Sequence, residues 1–398
     1  MSQDQTRKRE GGLSRWAGTL CQVLMGAAMG LWFAGRLFPL AEAGCPFGRY
    51  LLAMAWLMLS LVLGGLVQTV VHEAGHLVFG LATGYRFCSF RVGSWMLVKT
   101  DGRLGLRRMH LAGTGGQCLL APPERTDGKM PYRLYNYGGV LLNLAAAALC
   151  GLLAWLCRGH WALAVLLEGQ VLMALGDAAL NGLPMRVGGV CNDGYNALLC
   201  GRSSAALRLL WVQLQVVERQ SRGLRLKDMP AEWFALPTEE QMTNELTAVR
   251  AILAENLAMD KGQLEEAARL CDWLEGPGKA LVDLHRSLLL CDRVFCALVL
   301  GRTDAALLAR WDAKPQRKFR RQMRTFLSVV RTEYAAALLQ EQDMAKAARL
   351  REEFERCART YPYKGDLQAE WELLALAQAK TVPMKDRTGE NEVCKIPK

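Results

Sequence analysis

The chain has 398 residues, 51% of them hydrophobic, and a formal net charge of +11. Nearly all its long uncharged runs lie between residues 16 and 183, and from about 185 onward it is charged and amphipathic. This excludes a uniformly soluble globule and divides the chain into a membrane half and a soluble half, each long enough to bury its own core. Much of the surplus Lys and Arg sits in loops beside the apolar runs, so membrane topology accounts for it and nucleic acid is not an expected partner. Thirteen cysteines without a Cys-x-x-Cys pair point to free thiols.

Four spans are expected, at about 16–36, 50–83, 138–157 and 161–183. Ala41-Glu42-Ala43 resembles a signal-peptide cleavage site, but the uncharged run Trp16–Gly35 is 20 residues long, too long for a signal core and right for a retained anchor. Arg7, Lys8, Arg9 and Arg15 precede the first span, and nine cations between Arg86 and Arg133 separate the second from the third. The opposite loops hold only Arg36, Arg49 and Arg158, which places both termini on the cytoplasmic side and Cys45 outside. The second run is anomalous. Its 34 residues would extend about 50 Å as a helix against a hydrocarbon core of about 30 Å, so it must tilt, break or protrude, with Gly64-Gly65 as the candidate break.

Between the second and third spans, Phe87, Phe90, Val92 and Trp95–Val98 lead into Asp101-Gly102 and then Leu104 and Leu106, the pattern of a β-hairpin at the membrane surface. From about 240 the pattern becomes paired amphipathic helices, with Leu246, Val249, Ile252, Leu253 and Leu257 on one face. Stretches beginning at Gly262, Gly301 and Gln342 are similar and spaced by about 40 residues, as in a degenerate tetratricopeptide-like repeat that binds a cytoplasmic protein partner. A non-repetitive helical bundle is the competing reading. Lys314, Arg317, Lys318, Arg320, Arg321 and Arg324 read as a solvated face, with anionic lipid headgroups as the alternative. The expected architecture is therefore mainly α: a polytopic membrane helix bundle with a membrane-associated β-hairpin over residues 1–200, a soluble helical domain over 201–380, and a disordered polar tail over 381–398.

The chemistry concentrates in Val70-Val71-His72-Glu73-Ala74-Gly75-His76. On a helix, positions i and i+4 share a side, so His72 and His76 can present imidazole nitrogens to one Zn²⁺, with Glu73 beside the metal as general base. Two imidazoles and a carboxylate in a lipid-immersed helix are costly unless paired or coordinated, which favours a metal site over incidental histidines. His110, His160 and His285 lack ligand-like spacing. A third donor is required, and Asp193, just past the last span, is the candidate; the alternative is that Asp193 caps the next helix.

These residues resemble the site-2 protease family of intramembrane zinc metalloproteases, particularly its bacterial members, over roughly residues 50–200. His72-Glu73-Ala74-Gly75-His76 is similar to the family's first motif. Gly139-Val140-Leu141-Leu142-Asn143 is similar to its Gly-Pro-x-x-Asn element, with Val140 in place of Pro, and Asn181–Gly194 to its Asn-x-x-Pro and Asp-Gly element, with a longer gap between Pro184 and Asp193. The resemblance implies that Asp193 is the third zinc ligand, that Asn143 orients substrate or steadies an oxyanion, and that the substrate is a membrane-anchored protein or peptide cut in or near its span. The competing function is a non-proteolytic membrane adaptor acting through its helical repeats.

Overall fold

The structure, a computed structural model, describes residues 3–381 apart from 101, 112–113, 125–129, 188–189, 239–241, 243–244 and 277–280. Four of its helices are long and apolar enough to cross a membrane: α1 (Gln3–Glu42, over Gly18–Glu42), α2 (Phe47–Ala82), α3 (Tyr132–Leu156) and α4 (Trp161–Gly182). Leu31, Leu52, Leu149 and Trp155 point outward and are exposed, a surface unfavourable in water and at home among acyl chains. The helices overrun the apolar runs at several ends, because backbone hydrogen bonding continues through polar residues such as Tyr132–Tyr137 that hydropathy does not register.

The candidate break at Gly64-Gly65 is absent, and α2 is continuous. Gly64 is instead a seat for α4: a Cβ there would meet Met173 Cγ at 2.8 Å and the Gly169 carbonyl at 3.0 Å, and one on Gly169 would meet the Ser60 carbonyl at 3.0 Å. Small residues let two backbones approach, which is how helices associate where no hydrophobic driving force separates them from lipid. α1 is tied to α4 by polar contacts. Glu168 accepts from Trp32 Nε1 at 2.8 Å and from Arg36 Nε at 2.9 Å.

The hairpin expected over residues 87–109 belongs to a larger antiparallel sheet of β1 (Arg86–Val92), β2 (Trp95–Thr100), β3 (Arg103–Arg108) and β4 (Gly116–Ala121), in the order β3-β2-β1-β4. Gly93, at φ 59°, turns the chain between β1 and β2, which in sequence read as one strand. Thr100 pairs with Arg103, and Gly102 before it turns the chain at φ 79°; Asp101 lies outside the described residues. Met96 and Val98 are buried in one core with Phe295, Val330 and Phe354 of the helical half, whereas Cys118 and Leu120 are buried with Tyr85, Tyr135 and Leu210. The sheet thus joins the two halves.

Beyond α4, a two-stranded ribbon of β5 (Arg186–Val187) and β6 (Val190–Cys191) precedes α5 (Asp193–Arg202) and α6 (Ser204–Ser221). The helical half continues with α7 (Glu245–Asp260), α8 (Leu264–Glu275), α9 (Asp283–Leu300), α10 (Ala305–Trp311), α11 (Lys314–Gln322), α12 (Leu327–Ala335, prolonged by a π turn to Gln340), α13 (Met344–Ala358) and α14 (Lys364–Ala379). The three similar stretches fall at equivalent places: Gly262, Gly301 and Gln342 are left-handed, at φ 68°, 67° and 54°, in the turns of α7–α8, α9–α10 and α12–α13. In the basic cluster, Arg320 is buried, with its guanidinium 3.6 Å from the Trp311 ring centroid, and Arg324 pairs with Glu353 at 3.2 Å. Of the six cations, Arg320 therefore does not belong to the solvated face, whereas Arg324 is exposed. The tail expected to be disordered lies, from 382 onward, outside the described residues.

Candidate metal centre

α2 carries His72, Glu73 and His76, all buried, on the side that faces α3. The spacing puts both imidazoles in line, and their neighbours fix which nitrogen is which. His76 Nδ1 lies 2.6 Å from the Tyr135 carbonyl, which can only accept, so Nδ1 carries the proton. His72 Nδ1 lies 2.8 Å from Asn143 Oδ1. The Asn143 amide donates to the Gln68 carbonyl at 3.2 Å and to Gln68 Oε1 at 3.0 Å, which leaves its Oδ1 as an acceptor and makes His72 Nδ1 a donor as well. Both Nε2 lone pairs then face inward, 3.1 Å apart.

Asp193 completes the group. Its Oδ2 lies 3.0 Å from His72 Nε2 and 3.3 Å from His76 Nε2. The cap of α5 is Asn192, not Asp193: Asn192 Oδ1 accepts from the Tyr195 and Met185 amides at 2.9 and 3.1 Å, and its Nδ2 donates to the Leu180 and Leu183 carbonyls at 2.6 Å each. Asp193 is thereby free to face the imidazoles. The extra residues after Pro184 are absorbed by the β5–β6 ribbon.

Three electron-rich donors at 3.0, 3.1 and 3.3 Å from one another repel unless a shared proton or a metal cation lies among them. A tetrahedral zinc with donors at about 2.0–2.1 Å holds those donors about 3.3 Å apart, so the triangle has the size of one tetrahedral face. Among the described residues this is the one group of three or more His, Cys, Asp or Glu whose donor atoms lie within 4.8 Å of one another.

The backbone around the site is close-fitted. A Cβ at Gly139 would meet the His72 ring at 2.5–2.7 Å, and one at Gly138 would meet the Gly75 backbone, so the two elements cross where both lack side chains. Gly116 of β4 plays the same part for Glu73, whose Cγ and Cδ would lie 2.6 and 2.8 Å from an added Cβ. Glu73, His72, His76 and Asp193 line a cavity of about 610 Å³ with Thr114–Leu119, Asp177 and Asn196. Asn143 is wholly buried and is not among the lining residues; it meets His72 from behind.

Several contributors were not singled out from sequence. Arg91, counted there among the cytoplasmic cations, is buried and donates to the Gly93 and Gly116 carbonyls at 2.7 and 3.2 Å and to Thr114 Oγ1 at 2.5 Å, bracing the approach to β4. Tyr135 donates to the Cys118 carbonyl at 3.0 Å and so ties α3 to β4. Asp177 was findable as an acidic residue within an apolar span. The helical half also forms part of the wall, through Gln213, Val249 and His285. His285 was read as an ordinary residue; burial pushes its imidazole down to about 4, so it lines the cavity as a neutral group. His110 binds Thr325 through its backbone amide at 3.1 Å, and His160 precedes α4; neither lines the cavity.

No protein-family model, curated protein or solved structure matches the chain.

Proposed function

We propose that this chain is a multi-pass membrane protein and a zinc-dependent metalloendopeptidase of the site-2 protease type, cutting a membrane-anchored protein or peptide in or beside its span. One observation carries the reading: His72, His76 and Asp193 converge at the spacing of a zinc face, with both Nδ1 atoms tethered, in a cavity of an apolar helix bundle. Tethering of the distal nitrogen is the usual support of a zinc-bound histidine. A purely structural site would not need Glu73.

His72, His76 and Asp193 would hold the zinc ion, which supplies Lewis acidity that makes water acidic enough to attack at neutral pH. Glu73, held against Gly116, takes the proton of the attacking water and returns it to the departing amide nitrogen. β4 is an edge strand, and its residues Gly116–Leu119 line the cavity. A substrate helix unwound at the cut can pair along that edge and present its carbonyl in extended form. Asn143 and Tyr135 act through the imidazoles as positioning residues.

The loop cations support a topology with both termini on the cytoplasmic side. The three helix pairs turning at Gly262, Gly301 and Gln342 support a degenerate tetratricopeptide-like array, suited to a cytoplasmic protein partner or the substrate's own tail. The test compares membrane-protein fragments in cells producing the wild-type chain or Glu73→Gln. Fragments present only with wild type, at equal zinc content of the two purified proteins, are the expected result; identical fragment patterns would eliminate the peptidase.

A further inference from the structure

A second cavity, of about 340 Å³, lies between the sheet and the helical half. It adjoins the metal-site cavity across Gln117, Gln213, Val249 and His285, which line both. Its walls are apolar at Leu226, Ile252, Leu253, Leu288 and Phe326, yet they also carry five carboxylates, Glu255, Asp260, Asp292, Asp366 and Glu370, against the guanidiniums of Arg91 and Arg331.

Most of these charges are engaged. Asp260 accepts from Arg225 and from the Lys227 amide at 2.9 Å each, and Asp366 accepts from the Tyr361 hydroxyl at 3.0 Å. Arg331 bonds Asp292 and one oxygen of Glu370, and Arg91 is occupied around Thr114. Two oxygens are left without any donor, Oε2 of Glu255 and Oε2 of Glu370, although these residues are only 0% and 6% exposed. Buried acceptors without donors are unfavourable, and here they mark where a donor belongs. Burial raises both carboxyls, Glu370 to about 8 and Glu255 well above the ordinary carboxylate range, and a cation seated beside the two free oxygens draws both back toward the ionised form.

The carboxylates do not converge as metal ligands do, since the metal-like group among the described residues is His72, His76 and Asp193. Apolar walls with acceptors beyond them suit a cation on a methylene stem. The cytoplasmic flanks of membrane spans are rich in such side chains. We infer that this cavity is a specificity subsite that seats a lysine or arginine side chain from the cytoplasmic flank of the substrate, an inference that rests on the peptidase reading.

The test uses the purified full chain in detergent and a fluorescein-labelled hexapeptide of alanine and leucine with one central arginine, read by fluorescence anisotropy against its uncharged citrulline counterpart. The arginine peptide should bind at least about tenfold more tightly, as expected when a hydrogen bond to a charged group is gained. Glu255→Gln and Glu370→Gln should each remove most of that preference, and Glu73→Gln should leave it intact. Equal affinity for the two peptides, absence of binding, or a preference that survives in both glutamine variants would overturn the subsite. The wild-type comparison needs no variant to fold. Arginine preference without cleavage of cellular proteins would remove the peptidase and leave a basic side-chain site, whereas cleavage without arginine preference would remove the subsite alone.

Discussion

Asn143→Leu separates a residue that positions His72 from one that touches substrate. The Asn143 side chain accepts from His72 Nδ1 at 2.8 Å and donates twice to Gln68, at 3.0 and 3.2 Å, in a wholly buried position. Leucine fills a similar volume, so little cavity forms, but the His72 Nδ1–H loses its acceptor. Leaving one buried donor unpaired costs about 1–3 kcal/mol. Loss of a partner that orients a metal-bound histidine lowers metal affinity about 10–100-fold, or about 1.4–2.8 kcal/mol, in the same range. Zinc affinity of the purified full chain, measured by competition with a chromophoric chelator, should therefore fall about 10–100-fold in Asn143→Leu. Asn143→Asp, which keeps an oxygen facing His72, should lose much less. An unchanged zinc affinity in the leucine variant, with slower cleavage, would refute the positioning role and give Asn143 to the substrate.

Three further outcomes are expected. Gly139→Ala puts a methyl 2.5–2.7 Å from the His72 ring, which must shift by roughly an ångström to reach normal contact; cleavage of a reporter should slow about 100-fold with the circular-dichroism spectrum unchanged. Asp193→Asn removes the anionic donor but leaves the Asn192 cap, so zinc content should drop while the melting temperature of the metal-free protein, measured in excess chelator, stays unchanged; a large fall there would return Asp193 to a structural role. Glu370 has a folded pKa of about 8, raised by burial against the opposing Arg331, so between its ordinary value near 4.5 and about 8 the folded state binds the extra proton. Stability then falls as pH rises through that window. The melting temperature should be lower at pH 8 than at pH 6, and Glu370→Gln should flatten the difference.

What was legible in the sequence follows from the physics of each feature. A helix able to cross a membrane must be continuously apolar, so all four such helices are legible, and polar groups inside one stand out, which is why His72, Glu73 and His76 do. Asp193 is legible only as one of two alternatives, because a carboxylate just before a helix is also a cap; Asn192, making four hydrogen bonds, takes the cap. β4 was missed because Gly116–Ala121 is short and lacks alternation, its pairing with β1 being a long-range event. The burial of Arg91 is not legible because sequence shows a cation near a membrane boundary but not whether backbone carbonyls enclose it. Of the three ways to fit the long second run, a break at Gly64-Gly65 is the one α2 does not use: a glycine pair weakens an isolated helix, whereas packing against α4 makes the same pair an asset.

The account stands on a zinc ion held by two imidazoles and one carboxylate. The zinc-edge X-ray absorption spectrum of the purified full chain tests this most directly. It should show only nitrogen and oxygen neighbours at about 2.0–2.2 Å, with the outer-shell signature of two imidazoles. Sulfur neighbours at about 2.3 Å, which would place the metal on cysteines, or a signature of fewer than two imidazoles, would contradict it.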